Sequence, residues 1–238
     1  MANAALSDVS NPHRCRKRRR FCIDLRTTAP SDRSYLGVSC RYVTVVGGGN
    51  STPIFAALAA DAGHTVAILT RRPADWDAND VGFVNDDPGY CDGVPELRVK
   101  IALVTSEPAD CIPQSDLIFL AGLPIHHNPE VLRRIRPHMD MSRKVFVGSI
   151  CAYGGFNWVA AEALGPGAYS LFGTQLIPWC CGTKEYGRTG AVFGAKRLLR
   201  IATEGEPQLP SSACPPHIAP SLRLCCSAWM QVALMLTA

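Results

Sequence analysis

The chain has 238 residues, 47% of them hydrophobic and 18% charged, so it can bury a substantial core and lacks the composition of a disordered protein. Its formal net charge of +4 arises in the first 42 residues, and the remainder has no basic stripe of the kind that binds nucleic acid. The apolar stretch 224–237 is shorter than the roughly 20 residues of a membrane-spanning helix, so no membrane partner is predicted.

The N-terminal segment is strongly basic. Residues 13–20 read HRCRKRRR, a block of like charge that repels itself and stays solvated. We therefore predict that residues 1–40 form a disordered basic leader and that the protein is cytoplasmic. Organellar targeting by this leader is an alternative, although its three Asp residues count against a transit peptide.

The 11 cysteines include no CxxC pair, and no secretory signal precedes them. Neither a zinc site nor a disulfide framework is predicted, and no metal is expected. Unpaired cysteines of this kind are typical of a reducing, cytosol-like compartment.

From residue 42 onward, short β-branched runs alternate with helical stretches. Strands are predicted at residues 42–46, 65–70, 99–105, 116–121, 144–149, 169–172 and 191–194, and helices at residues 53–62, 129–139 and 157–164. This alternation is typical of a doubly wound α/β fold, in which helices cover both faces of a parallel sheet. We predict one such Rossmann domain over residues 41–203.

Two segments interrupt this rhythm. Residues 76–96 are punctuated by Asp, Asn, Gly and Pro, and we predict a long loop at a sheet edge. Beyond residue 204, five prolines between residues 207 and 220 exclude regular structure, and a short apolar tail follows. Residues 204–238 are therefore predicted to be a Pro-rich linker and tail, too short for a second domain.

The stretch VTVVGGGNSTPIF, residues 43–55, runs from a predicted strand through three glycines into a predicted helix. In a dinucleotide-binding βαβ unit, such a turn needs one glycine for the tight bend and a second where the backbone approaches the pyrophosphate. Gly47 and Gly49 supply these two. Thr52 stands at the third position, where Gly or Ala is usual, and Pro53 suits the first helical turn.

The backbone N–H groups at the start of this helix, together with the helix dipole, form a predicted anion site. Asn50 or Ser51 is expected to cap the helix. A plain structural turn is the alternative for a glycine motif taken alone, but the strand before it and the helix after it favour nucleotide binding. The predicted phosphate-binding residues are Gly47, Gly48, Gly49, Asn50, Ser51 and Thr52.

The choice between NAD and NADP is decided about twenty residues further on, at the end of the second strand. An acidic side chain there would bind the ribose of NAD, but this sequence has Thr70, Arg71 and Arg72. Two guanidinium groups suit a 2′-phosphate, so NADP is the preferred cofactor and NAD stays open. Solvated arginines at a strand end are the alternative interpretation.

The fourth strand ends in DLIFLAGLP, residues 116–124, and is followed by His126 and His127. Ligands of this fold lie outside the carboxyl ends of the strands, which places three residues beside the expected nicotinamide: Gly122, Leu123 and Pro124. Either histidine is a candidate proton carrier. No carboxylate nearby in the sequence would orient it, so ordinary loop positions are favoured.

Four segments of the chain, in order, carry a family resemblance: VVGGGNSTPIFAALAADAGHTVAILTRR, DLIFLAGLPIHHNPEVLRRIRPHM, VFVGSICAYGGFNW, and FGTQLIPWCCGTKEYG ending in FGAKRLL. They resemble the opine dehydrogenase (octopine/nopaline dehydrogenase) family and together span residues 42 to about 200. The first two are generic to many NAD(P) folds. The last two are more specific, above all GGF at residues 154–156, and PW at 178–179 followed by EYG at 185–187.

The resemblance implies reductive condensation of an amino acid with a keto acid, driven by hydride from NAD(P)H. Members of the family pair a Rossmann domain with a helical second domain, which supplies a catalytic histidine and aspartate. Nothing after residue 207 resembles that domain, so the chain is expected to be truncated and its catalytic residues are unknown. The family's Pro-Trp-x-Cys-Arg reads PWCCG here, so an arginine that would meet a carboxylate is missing.

We therefore predict the NAD(P)-binding domain of an opine dehydrogenase-like oxidoreductase acting on CH–NH bonds, which binds cofactor but is catalytically incomplete. Its small-molecule partners, by resemblance, are an amino acid and a keto acid. One alternative is a non-catalytic nucleotide-binding protein, or one whose site a partner chain completes. A second alternative is a dehydrogenase of another Rossmann class that acts on a CH–OH substrate.

Overall fold

The computed structural model describes residues 19–24, 41–90, 94–152, 155–196 and 198–204. The strands in this part of the chain are β1 (Arg19–Asp24), β2 (Tyr42–Gly47), β3 (Thr65–Leu69), β4 (Val81–Asn85), β5 (Glu96–Val99), β6 (Leu103–Thr105), β7 (Leu117–Gly122), β8 (Val145–Ser149), β9 (Tyr169–Thr174), β10 (Trp179–Glu185), β11 (Thr189–Ala195) and β12 (Leu198–Glu204). The α-helices are α1 (Thr52–Asp61), α2 (Asn128–Ile135) and α3 (Phe156–Leu164).

Eight strands form the large sheet, in the order β1-β12-β9-β8-β7-β2-β3-β6. The strands from β9 to β6 are parallel, whereas β12 pairs antiparallel with β9, and β1 antiparallel with β12. The chain moves outward from β2 to β3 and β6, then returns past β2 to β7, β8 and β9. This reversal is the switch point of a doubly wound parallel sheet, so the predicted fold class is confirmed.

Helices cover both faces of the large sheet. On one face α2 and α3 pack against each other, and their residues Leu132, Ile135, Ala160 and Leu164 are buried over the central strands. On the opposite face α1 contacts β2 and β3. The apolar residues of α2 at helical spacing therefore identify its buried side correctly.

The first helix, α1, is apolar on every side. Its residues 52–59 are all buried, because it lies between the large sheet and a second sheet of four strands, in the order β10-β11-β4-β5. A helix that is hydrophobic all round requires such cover on all sides. The loop predicted at residues 76–96 is therefore wrong, since β4 and the first residue of β5 lie within it and cover α1.

The strand predicted at residues 99–105 is two strands in different sheets. β5 ends at Val99 in the small sheet, and β6 begins at Leu103 in the large one. Between them the N–H of Ile101 donates to the carbonyl of Ala78 at 2.7 Å, and the buried Ile101 side chain anchors the crossing. Apolar residues alternate across the whole stretch, so the pattern conceals the break.

Four strands of the structure have no counterpart among the predicted strands: β1, β4, β10 and β12. Within the leader predicted to be disordered, residues 19–24 form β1, which pairs along its whole length with β12. That part of the prediction is wrong. The rest of the leader and the predicted tail after Glu204 lie outside the described residues. In the described ranges, no helix is long and apolar enough to cross a membrane.

His64 makes the stability of the fold depend on pH. Its Nδ1 accepts a hydrogen bond from the backbone N–H of Arg41 at 3.3 Å, and burial, followed by the charge of Arg41, lowers the pKa of the imidazole below 6.5. The unfolded chain therefore binds this proton more readily than the folded chain. Above pH 6.5 the contribution of His64 to stability is complete, and it is lost as the pH falls towards the lower pKa of the folded state.

We expect a His64→Gln variant to lose less stability than the wild type between pH 7.5 and pH 5. The free energy of unfolding from urea denaturation at each pH measures this difference. His126→Gln, which removes an exposed imidazole, is the matched control and should follow the wild type. Parallel pH curves for wild type and His64→Gln would contradict the assignment.

Candidate functional site

The glycine-rich turn is packed against the carboxyl end of β7. Gly47 has φ of +130°, a conformation that side chains rarely tolerate, and a Cβ there would lie 2.7 Å from the carbonyl carbon of Gly122. Only a glycine allows the chain to bend at this position and to approach the neighbouring strand so closely. The role predicted for Gly47 in the tight turn therefore has a direct structural cause.

The close contact with β7 also allows only a glycine at position 49. Its N–H donates to the carbonyl of Gly122 at 2.9 Å, and a Cβ on Gly49 would lie 2.6 Å from that oxygen. This glycine is predicted to lie where the backbone approaches the pyrophosphate, but its own N–H is already bonded within the chain. Gly48 faces the open side of the turn instead, where a Cβ would meet the hydroxyl of Tyr186 at 2.8 Å.

Thr52 fits against β7 because the strand has a glycine, Gly122, at the contact. It is fully buried, and a Cβ on Gly122 would lie 2.0 Å from its Oγ1. The helix therefore carries a β-branched residue at its close-packing position because the strand opposite has a glycine. The Oγ1 of Thr52 has no hydrogen-bond partner in the described structure, which costs stability.

We expect Thr52→Val to raise the free energy of unfolding by about 1 kcal/mol, because it removes a buried hydroxyl without a partner at nearly constant volume. The matched control is Thr44→Val, which replaces an equally buried threonine whose Oγ1 lies 2.6 Å from the Oγ of Ser115. That variant should be destabilised. Urea denaturation of both variants checks the prediction, and a loss of stability in Thr52→Val would refute it.

Asn50 and Ser51 do not cap α1 with their side chains. The Oγ of Ser51 donates to the carbonyl of Ala121 at 2.7 Å, and the Oδ1 of Asn50 accepts from the hydroxyl of Thr183 at 2.7 Å. The predicted side-chain cap is therefore wrong. Within the described residues, the backbone N–H groups of Gly48, Asn50 and Ser51 have no acceptor in the chain. They remain available to an anion at the positive end of the helix.

A cleft of about 580 Å³ opens beside this turn, at the carboxyl ends of β2, β3 and β7. Nine of the twelve predicted cofactor-binding residues line it: Gly47, Gly48, Gly49, Thr70, Arg71, Arg72, Gly122, Leu123 and Pro124. The other three are Asn50, Ser51 and Thr52, which lie at the start of α1 beside the cleft without lining it. The three predicted groups, far apart in sequence, thus come together around one cavity.

Arginines dominate the charge of the cleft. Arg71 and Arg72 line it from the end of β3, and Arg134 lines it from α2, against the single carboxylate of Glu130. Arg71 is exposed and forms no ion pair with the described residues. Arg72 pairs with Asp75, and contact with the Tyr186 side chain raises the pKa of its guanidinium. This arrangement favours an anionic ligand group near the end of β3.

Eight further residues line the cleft outside the predicted cofactor-binding set: Val46, Leu69, His127, Glu130, Val131, Arg134, Ile135 and Tyr186. Of these, the sequence singled out only His127, as a candidate proton carrier. Those on α2 follow the predicted helix at spacings of three and four, so a helix placed beside the switch point would have identified them. Tyr186 belongs to the EYG segment that carries the family resemblance. Its position over Gly48 depends on the second sheet, which is not predicted from the sequence.

The histidines after β7 have no orienting carboxylate. The rings of His126 and His127 lie 4.1 Å apart between centroids, and only His127 lines the cleft. No histidine among the described residues forms an ion pair or a hydrogen bond with a carboxylate. The same part of the chain contains no group of three or more His, Cys, Asp or Glu placed to hold a metal ion.

The PW segment has a structural role in β10. Trp179 is buried, and its indole N–H donates to the hydroxyl of Tyr90 at 2.6 Å. The ring belongs to the core that encloses α1. This family-like segment therefore anchors the small sheet onto the domain rather than contacting the cleft.

Comparison with known proteins confirms the resemblance to opine dehydrogenases. The chain is 26% identical to the octopine dehydrogenase of Pecten maximus over 168 residues, 66% of this chain and 41% of that protein. A structure of octopine dehydrogenase with NADH and L-arginine superposes with a TM-score of 0.58 at 25% identity, covering 65% of this chain and 40% of the other. No protein-family model matches the chain.

The fold itself is shared more widely. A ketopantoate reductase from Ralstonia eutropha superposes with a TM-score of 0.50 at 14% identity, over 64% of this chain. At that identity the likeness concerns the fold alone. The chain spans about two fifths of the length of the octopine dehydrogenase that it matches.

Proposed function

We propose that the domain of residues 41–203 binds NADP(H), with NAD(H) as the weaker alternative, as the cofactor-binding part of an opine dehydrogenase-like oxidoreductase. One observation carries the proposal. At the switch point of the large sheet, unpaired N–H groups at the start of α1 adjoin a cleft lined by three arginines. The similarity to octopine dehydrogenase, which has been solved with NADH, supports it.

The residues of the cleft fit the parts of a dinucleotide. The free N–H groups of Gly48, Asn50 and Ser51 suit the pyrophosphate, and Arg71 suits a 2′-phosphate at the end of β3. Val131 of α2, which is partly exposed, offers apolar surface for a flat ring. At the other end of the cleft, residues 122–124 adjoin the expected position of the nicotinamide.

When bound, the nicotinamide supplies a hydride. We propose that this hydride serves the reductive condensation of an amino acid with a keto acid, by similarity to octopine dehydrogenase. The described residues offer no histidine oriented by a carboxylate, and hydride transfer needs a substrate held against the nicotinamide with a positioned acid or base. We therefore propose that this domain binds cofactor without turning it over.

A partner-completed site is the second candidate function. In such a site a second chain supplies the acid or base beside the nicotinamide. Mixing the protein with such a partner would produce turnover that neither chain shows alone. A nucleotide sensor without catalysis would show cofactor binding and no turnover in any mixture.

Isothermal titration calorimetry with NADPH and with NADH tests the proposal. We expect saturable binding of both and tighter binding of NADPH. No oxidation of NADPH is expected when pyruvate is added with arginine, alanine or lysine. Flat titrations at millimolar cofactor, on a sample that circular dichroism shows to be folded, would refute cofactor binding, and measured turnover would refute catalytic incompleteness.

A further inference from the structure

The turn between β10 and β11 brings an aromatic side chain from the small sheet to the rim of the cleft. The hydroxyl of Tyr186 lies over Gly48, and its ring lies under the guanidinium of Arg72, whose Cζ is 4.1 Å from the ring centroid. That distance is well within the range of a cation–π contact. Tyr186 is therefore in contact both with the glycine turn and with one of the two arginines at the end of β3.

Arg72 is held on two sides. Its Nε lies 3.3 Å from a carboxylate oxygen of Asp75, and the Tyr186 ring supports the guanidinium. Its two terminal amino groups form no ion pair within the described chain. An unsupported arginine on the surface loses rotamer entropy when it binds a ligand, whereas one already held in place loses less. The two contacts thus prepare Arg72 to meet an anion.

Both partners of Arg72 belong to one anchored unit. Gly187 has φ of +74° and packs so tightly that a Cβ there would lie 1.9 Å from the carbonyl oxygen of Asp75. Its carbonyl accepts a hydrogen bond from the N–H of Asp77 at 3.2 Å. Arg188 adds ion pairs to Asp77 and Asp80. The tyrosine-bearing turn is therefore fastened to the segment that also carries Asp75.

We propose that Tyr186 is a specificity-determining residue that positions Arg72 for the 2′-phosphate of NADP(H). This inference rests on the proposed cofactor function and adds a residue from outside the βαβ unit to it. The ring acts through Arg72, so its loss weakens the binding of the phosphorylated cofactor and leaves NADH binding unchanged. A hydroxyl that donated directly to the pyrophosphate would instead affect both cofactors equally.

Calorimetric titration of Tyr186→Leu and Tyr186→Phe with NADPH and NADH tests the inference. We expect Tyr186→Leu to raise the dissociation constant of NADPH about fivefold, the size of a partly solvated cation–π contact, with no change for NADH. Tyr186→Phe keeps the ring and should match the wild type. Phe193→Leu is the control, because it removes an exposed aromatic ring from β11 away from the cleft.

A second comparison separates positioning from a general structural effect. In an Arg72→Ala background, Tyr186→Leu should cause no further loss of NADPH affinity, because the residue through which the tyrosine acts is gone. An equal loss for both cofactors, a loss in Tyr186→Phe, or an additive loss in the double variant would overturn the inference while the proposed function stands. A folded wild type that binds neither cofactor would overturn both.

Discussion

A Gly122→Ala variant is expected to unfold more easily by about 3 kcal/mol, the upper end of the usual cost of overpacking a core. The added Cβ would lie 2.0 Å from the Oγ1 of Thr52 and 2.8 Å from the N of Gly49. Relief requires the glycine turn to move away from β7. That movement breaks the hydrogen bond between Gly49 and Gly122 and displaces the free N–H groups of the anion site, so NADPH binding should also be lost.

Two further variants show whether this clash is the cause. Thr52→Ala in the Gly122→Ala background removes the atom that the new methyl group meets first, and it should restore part of the lost stability. Gly194→Ala places the same methyl group where no atom lies within 4 Å and should change neither stability nor binding. Urea denaturation and NADPH titration measure both quantities. A double variant no more stable than Gly122→Ala would exclude the proposed contact.

Replacing Arg71 and Arg72 together by Ala is expected to weaken NADPH binding about 100-fold, since two charge-assisted hydrogen bonds to a phosphate are each worth about 1.5 kcal/mol or more. NADH, which lacks the 2′-phosphate, should be affected less than about threefold, because it loses only long-range attraction in a screened environment. Fluorescence titration with both cofactors at constant ionic strength provides the comparison.

α2 supplies matched controls for this prediction. Arg134 lines the cleft, whereas the adjacent Arg133 is directed to Glu162 on α3 at 2.9 Å. Arg134→Ala should therefore weaken NADPH binding, and Arg133→Ala should not. If replacing Arg71 and Arg72 together weakened the binding of NADPH and NADH by the same factor, the preference for NADP would have no basis.

The fold was predictable from the sequence wherever neighbouring residues determine a strand and the helix that follows it. The βαβ unit from β2 to β3 shows this, because its buried β-branched runs, Pro53 and Gly63 act through nearest neighbours in the sequence. Gly63, just after α1 ends, has a positive φ, which is an ordinary helix termination. The switch point followed from the order of these units alone.

The second sheet was not predictable by the same means. β4 reads VGFVN and is short, and one of its two neighbours in the sheet, β11, is distant in the sequence, since Thr189 lies opposite Gly82. β10 carries exposed polar residues at its end and resembles a turn. The one local indication was α1 itself, because the apolar run IFAALAA leaves no side for solvent. Such a run predicts that another part of the chain covers the helix.

Some residues of the candidate site were likewise predictable from the sequence, and others were not. The glycines and arginines were identifiable because the fold places strand ends at one edge. The hydrogen bond from the Gly49 N–H to Gly122 was not, because Gly122 lies on another strand. Tyr186 depends on long-range packing of the small sheet. Residue types at the strand ends thus located the cleft. Tertiary contacts determined which backbone N–H groups within it remain without an acceptor in the described chain.

The enclosure of α1 between two sheets has a consequence for biosynthesis. The parallel pairing of β11 with β4 joins segments that leave the ribosome far apart in time, and contacts of such long sequence separation form slowly. Until β11 is synthesised, α1 lacks part of its cover and exposes apolar side chains to solvent on the nascent chain. We expect this interval to be the period in which the growing polypeptide most needs a chaperone.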